Sequence, residues 1–447
     1  MRSFPHRNFR AILVSSFVLL LVPAGAQADA GCTRVATPSD SAQQLADSLS
    51  AGETGCLRQG NHTGPVTITH GGSAGQPITL RSYPGEKATI TGRISVKKGA
   101  NHVTVEELYL NGRNPTGSPS PTINANDVTF RRNDITNEHT AICFVLGASN
   151  VDNSATNGRA ARPHIDQNKI HNCGKLPATN HDHGIYVEGS DYARITNNWI
   201  YDNADRGIQL YPDAQHTTVT GNVIDGNGSG IIFSGTDGTA SRNNEVKGNL
   251  LTNAKLRGNA ESFWGGVVGT GNVLRANCVK GGRDDDGNGG VNTGDGGFVA
   301  VANATSDPEY VNRGGKDFRI DAGSPCRSLY SQGDFVPGPG GGVRPSAGIS
   351  RLRRSALLKL SVPRRTVRYG RRVKVLGRAN LSRLRPGTIV TILAKSGGRW
   401  KRVARRRVRR NGTFVLRRTL RPQGRTVRLR AVASVGRSKT LRLRVRR

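Results

Sequence analysis

Residues able to do chemistry recur at a fixed interval in the middle of the chain. GIYVEGSDYARITNNWIYDN begins at Gly184, GIQLYPDAQHTTVTGNVIDGN at Gly207 and GIIFSG at Gly230, two steps of 23 residues. That interval sets Asp182 against Asp205, His183 against Arg206, Tyr186 against Gln209 and Glu188 against Tyr211. Counting back once more adds His139 to the Asp182 column and Thr140 to the next. Acids, a histidine, an arginine and aromatic rings on one rigid surface could hold a hydroxyl-rich ring and move a proton. If the columns lie on adjacent strands, about 4.8 Å apart, Asp182 and Asp205 approach the roughly 5 Å of a retaining glycosidase pair rather than the wider inverting spacing. Elimination beside a carboxylate instead needs a base and a positive charge for the enolate-like intermediate. Arg206 would supply the charge, and His183 or Tyr186 the acid or base.

The expected catalytic set is therefore Arg206, His183, Tyr186, Asp182 and Asp205, with Glu188, Gln209, Tyr211 and His139 as substrate-binding residues. Lys169, Arg194 and Lys247 are reserve cations. Asp182, Asp205 and Glu188 also offer hard oxygen ligands for Ca2+. No EF-hand spacing is present, and GGRDDDGNGG from Gly281 reads first as an exposed acidic loop. A plainer reading stands beside all of these: Asp182 and Asp205 cap turns, Arg206 neutralises them, and the aromatic rings have no ligand.

The elements that must hold such columns are short β-runs separated by Asn, Asp and Gly, too closely spaced for helix-containing crossovers. One coil per repeat follows, each coil pairing with the next in parallel. Ile185, Ile208 and Ile231 are expected to stack inward, with Val187, Leu210 and Phe233 two residues on. Tyr186, Gln209 and Ile232 then face outward, as do Glu188, Tyr211 and Ser234. Asn198 and Asn222, like Asn203 and Asn227, fall at equivalent corners and are read as ladder residues. The fold class is all-β, a right-handed parallel β-helix solenoid of eight to ten coils. Ser39 to Leu49 has the pattern of a short amphipathic helix closing its first end.

Residues 1–30 carry a basic start, an apolar stretch from Ala11 to Ala24, and Ala28 and Ala30 before a cut, the layout of a secretory signal. The stretch is short for a permanent membrane span. Six cysteines remain, Cys32, Cys56, Cys143, Cys173, Cys278 and Cys326. Fifteen pairings are open; pairing in chain order suits a solenoid, whose contacts join neighbouring stretches. The β-helix is expected over residues 31–330, a Gly/Pro-rich linker over 331–350 and an Arg-rich antiparallel β-sandwich over 351–447. The formal charge of +34 lies wholly in that last segment, which has 34 Arg and Lys and no acid. Such a segment suits a polyanion. Its few aromatics, Tyr369, Trp400 and Phe414 among them, give little for base stacking, so nucleic acid fits poorly.

NHDHGIYVEG from Asn180 and NVIDGNGSGIIFSG from Asn222 resemble the right-handed parallel β-helix family of secreted polysaccharide-active proteins. DPEYV from Asp307, DFRI from Asp317 and GSP from Gly323 resemble a closing segment common in that group. The resemblance covers about residues 55–328. It implies a monomer acting on an anionic polysaccharide or cell-envelope polymer, as a lyase or epimerase on uronic acids, with a glycoside hydrolase or a noncatalytic carbohydrate-binding surface protein as alternatives. The last segment resembles bacterial Ig-like modules.

Overall fold

Alternating apolar and polar residues in three short runs per repeat wind the first part of the chain into a triangular coil. The computed structural model describes residues 31–149, 154–330 and 335–343, and in the last part 358–362, 366–370, 372–379, 386–395, 400–411, 413–419, 426–433, 436–437 and 441–446. Residues 1–30, the expected secretory signal, lie outside the described residues. Two units divide the chain, Met1–Pro345 and Ser346–Arg447.

The first unit is a right-handed parallel β-helix. Sheet A has eleven strands, from Arg34–Ala36 to Phe298–Val301, and sheets B and C have nine each. One coil visits them in turn: Arg194–Thr196 in A, Trp199–Tyr201 in B and Arg206–Gln215 in C. The inward columns fall where alternation puts them. Ile185 pairs with Ile208 and Ile208 with Ile231, and Val187, Leu210 and Phe233 run beside them, all fully buried. Burial of each such side chain stabilises by about 1.5–3 kcal/mol.

The corner from A to B is built by a left-handed residue followed by asparagine. Arg132, Gln167 and Asn197 have φ of 54°, 58° and 59°, and each precedes a ladder Asn. Asn133, Asn168, Asn198, Asn222, Asn249, Asn277 and Asn303 then form one stack. Asn198, for example, donates from Nδ2 to Asn222 Oδ1 at 2.9 Å and to Ile165 O at 2.9 Å, and its backbone N–H donates to the same Asn222 Oδ1. The side chains thereby take the backbone groups that each turn leaves unpaired. Asn203 and Asn227 repeat the device at the next corner.

The first end is closed by α1, Ala42–Ser48, whose N-cap Ser41 accepts from Gln44 N. Ala42, Leu45, Ala46 and Leu49 are buried against the coil. Gln43 acts as a surrogate strand: Nε2 donates to Thr67 O at 2.9 Å and Oε1 accepts from Thr67 N at 2.6 Å. Those are the groups an edge strand would otherwise expose. The disulfides pair in chain order, Cys32–Cys56, Cys143–Cys173 and Cys278–Cys326.

The last part of the first unit packs on the outside of the coil. The segment from Tyr310 to Tyr330 lies along the outer face of sheet B, where Phe318, Ile320, Cys326 and Tyr330 bury Trp199, Tyr201, Val223 and Leu250. Residues 335–343, read as linker, also join this unit: Gly338 N donates to Gln167 O at 2.8 Å and Gly340 N to Glu107 Oε2 at 3.0 Å. Glycine suits the approach, because a Cβ on Gly338 would meet the Lys169 stem.

In the second unit a three-stranded sheet and a six-stranded sheet share one apolar core that includes Val375, Ile392, Phe414 and Leu429. Among the described residues pairing is antiparallel, as expected, with Thr366–Arg368 alone running parallel to its neighbour Leu441–Arg446. Among the described residues no helix is long and apolar enough to cross a membrane.

Candidate functional site on sheet C

The repeat brings most of the expected residues together at the start of two adjacent sheet C strands, Ile185–Asp191 and Arg206–Gln215. Tyr186 pairs with Gln209, and Asp205 N donates to Asp182 O at 2.8 Å. His139 does not join them. Phe144 pairs with Ile185, which sets Ala141 opposite Asp182 and Ile142 opposite His183. The mismatch arises because Cys143 occupies the place that Gly184 and Gly207 hold in later coils. His139 lies instead at the preceding corner, its Nδ1 3.1 Å from Gly174 O. Glu188 and Tyr211 are not simple neighbours either: a bulge sets Glu188 opposite both Tyr211 and Pro212. Proline suits the extra position, having no N–H to leave unpaired.

Both aspartates are committed to the fold. The Asp182 carboxylate accepts from Lys175 N at 2.7 Å and Thr179 N at 2.8 Å, fastening the loop that precedes it. Asp205 has no exposed surface; it accepts from Arg206 Nη1 at 2.7 Å and is ion-paired with Arg257. Glu188 accepts from the backbone N of Ser149 at 2.9 Å. Among the described residues no three His, Cys, Asp or Glu side chains gather closely enough to hold a metal ion. Asp182, Asp205 and Glu188, expected as a calcium set, each serve a different backbone group or charge. In the Gly281 loop Asp285 likewise accepts from Gly281 N, Gly287 N and Gly289 N.

What remains is a balanced charge cluster beneath two aromatic rings. Arg257 bridges Asp205 and Glu261, with its Nε 3.3 Å from Glu261 Oε1, and Ser229 Oγ donates to the same oxygen at 2.9 Å. Arg206 also donates to Asn180 O at 3.1 Å. His183 Nδ1 lies 3.9 Å from Asp205 Oδ2. Burial first, then the charges of Arg206, His181 and Arg257, hold His183 well below the usual imidazole range, so it is neutral near pH 7. Burial also lowers Arg206. Tyr186 and Tyr211 are half-buried with rings 6.3 Å apart at 20°, and the Tyr186 ring lies 5.7 Å from that of His183.

Three side-chain atoms of this cluster, His183 Nδ1, Arg206 Nε and Gln209 Oε1, are buried without a hydrogen-bond partner among the described residues, whereas Arg257 Nε is held by Glu261. A buried polar atom left unpaired costs about 1–3 kcal/mol, so several together mark a place where structure is subordinated to something else. Arg257 escaped the sequence reading. It comes from two coils further on, 52 residues from Asp205, in a turn that breaks the 23-residue interval. Arg159 was also missed; it spans Asp191, at 2.8 Å, and Asp213 at the far end of the same face. Lys169 and Lys247 lie on other sheets and take no part.

Residues 94–305 match the family model described as the right handed beta helix region. Among solved structures, this β-helix is similar to a pectate lyase, at 12% identity and a TM-score of 0.47 over 66% of this chain and 90% of that one. It is similar also to an alginate lyase of the PL6 family, at 14% identity and 0.40 over 60% of this chain and 40% of that one. A PL6 polysaccharide lyase from Pseudopedobacter saltans gives 13% identity and 0.30 over 69% and 99%. At these identities the likeness is one of fold. No curated protein sequence matches the chain.

Proposed function

We propose that the protein is exported and acts on a uronic-acid-containing polysaccharide at the outer face of sheet C, by β-elimination or by the epimerisation that shares its first step. The observation that carries this reading is the group of unpartnered buried atoms on His183, Arg206 and Gln209 beside the Tyr186–Tyr211 rings. Tyr186 and Tyr211 form a platform for sugar rings. Arg257, about one-third exposed, faces the substrate carboxylate, with Arg206 adding charge from behind. Tyr186 is the group placed to touch the reacting carbon. Its hydroxyl, as phenolate, takes the proton beside the carboxylate; the electron pair forms the new double bond, the glycosidic C–O bond breaks, and the leaving oxygen takes a proton from water or Tyr186. Neutral His183, next to Tyr186, and Asp205, between the two arginines, are positioning residues.

A glycoside hydrolase needs two available carboxylates, and both Asp182 and Asp205 are engaged. Binding without turnover is the second reading, favoured by how deeply Arg206 and His183 are buried. The second unit, read as an Ig-like module, would hold the protein on an anionic envelope or matrix polymer. The disulfides suit an oxidising compartment outside the cytosol.

The purified protein is to be incubated with alginate, pectate and glycosaminoglycans. Ultraviolet absorbance from unsaturated ends, abolished in Tyr186→Phe, supports elimination. Reducing ends without that absorbance overturn it in favour of hydrolysis. Retention on a polymer without product supports the binding reading.

A further inference from the structure

The coil carries a recess on a different face from sheet C. It encloses about 400 Å³ and is lined by Asp127, Thr129, Arg162, Tyr192 and Arg194. We propose that this recess binds an acidic sugar residue, its ring on Tyr192 and its carboxylate between Arg162 and Arg194. The proposal does not depend on the sheet C reading.

The recess follows from the corner that leads into sheet A. Asp127, Arg162, Tyr192 and His216 occupy that corner on successive coils, all left-handed with φ of 56–57°. Each backbone N–H bonds to the next coil, as Arg162 N to Asp191 O at 2.7 Å and Tyr192 N to Gln215 O at 2.8 Å. Two residues further on, Thr129, His164 and Arg194 are paired along sheet A. The backbone therefore fixes two parallel columns of side chains, one from the corner and one from the sheet. A non-glycine residue in this conformation is strained unless its surroundings hold it, and here the ladder does.

Each lining side chain is oriented before any ligand arrives. The Tyr192 ring is 55% exposed and is stacked on the His216 ring at 4.8 Å and 10°. It presents its free face as a platform, the geometry that sugar rings and other flat apolar faces use. Arg162 is locked by two bonds to Asp127, 2.8 Å from Nε and 2.7 Å from Nη2, which leave Nη1 uncommitted to that carboxylate. Arg194 lies 3.3 Å from His164 Nδ1, and His164 Nε2 lies 2.9 Å from Thr196 Oγ1. Burial, then the Arg194 charge, lowers the His164 pKa and keeps that ring neutral. Among the described residues no carboxylate forms an ion pair with Arg194. The recess thus has two guanidinium groups against one carboxylate, with the Thr129 hydroxyl in its lining to meet a sugar hydroxyl. Arginine is the residue suited to planar recognition of a carboxylate, and the volume falls within the range of small-molecule sites.

The test is hydrogen–deuterium exchange on the full chain, at physiological salt, with galacturonate and mannuronate hexamers and neutral cellohexaose. An acidic hexamer should slow exchange in segments 125–131 and 190–196. Arg194→Gln, and Tyr192→Asn, which tolerates the left-handed backbone, should each weaken that protection by about tenfold or more, the effect of roughly 1.4 kcal/mol. Tyr211→Ala should leave it unchanged, which separates this recess from the sheet C face. Equal protection by cellohexaose overturns the acidic specificity. Absence of protection at these segments with both acidic hexamers, or undiminished protection in Arg194→Gln, overturns the site.

Discussion

Asp205 has no contact with solvent, yet it is the hinge of the sheet C cluster, since Arg206 and Arg257 both neutralise themselves on it. Removing one partner of a buried ion pair strands the other charge, at a cost of about 3–5 kcal/mol. Asp205→Ala should therefore lower stability by that order, measured by urea denaturation. Asp182→Ala should loosen chiefly the loop from Lys175 to Thr179, read as faster local hydrogen exchange. His183 gives a pH signature. Its folded pKa lies below its unfolded value of about 6.5. Above that pH neither state holds the proton and the group is silent. As pH falls through it, the unfolded chain takes up a proton that the folded chain does not, and stability falls by up to about 1.4 kcal/mol per pH unit until the folded pKa is reached. His183→Gln should flatten this part of the stability curve. An unchanged slope would mean that His183 already carries its proton in the fold.

At the scale of elements the asparagine stack makes the coil cooperative. Asn222 accepts from both the backbone N and Nδ2 of Asn198 and donates to Ile195 O and Asn249 Oδ1. Replacing it by alanine strands buried groups on both sides, so Asn222→Ala should cost about 2–4 kcal/mol. Asn303, at the end of the stack, accepts from Asn277 and donates to Leu274 O with no Asn beyond it in the stack. Asn303→Ala should cost less than half as much, and equal losses in urea melts would show that the stack does not act as a chain. Much of this was legible beforehand: the 23-residue interval set the inward columns, the Asn corners and the pairing of Tyr186 with Gln209. It misled where a coil departs from the interval, at His139 and at the bulge beside Pro212. It was silent on Arg257 and Arg159, which themselves come from turns of irregular length. Nothing in residue type announces Arg132 or Gln167 as left-handed, because that conformation is imposed by the coils above and below. The structural role of Asp182 and Asp205 was one of two readings the sequence left open, since a capping carboxylate and a catalytic one look alike in sequence.

Charge is distributed at the scale of the whole molecule. The first 350 residues balance, and the excess of +34 belongs to the second unit. Its register sets cations against each other: Lys374 pairs across strands with Arg417, and Lys395 with Arg428. Like charges directly opposed on a sheet destabilise it by about 0.2–1 kcal/mol per pair, and a chain of 34 cations has no acid nearby to relieve them. A bound polyanion would. Arg417→Glu separates stability from binding, because it converts a repulsive pair into an attractive one while removing two units of positive charge. At low salt the variant should unfold at a higher temperature in the calorimetric transition of the second unit, yet be retarded less in gels containing a sulfated or uronic polymer. Retardation of the unmodified protein should fall steeply as salt rises, through counterion release, while unfolding of the balanced β-helix hardly responds. If Arg417→Glu lost stability, the opposed cations would have to be held apart by something other than solvent, and the second unit's affinity for polyanions would have lost its structural motive.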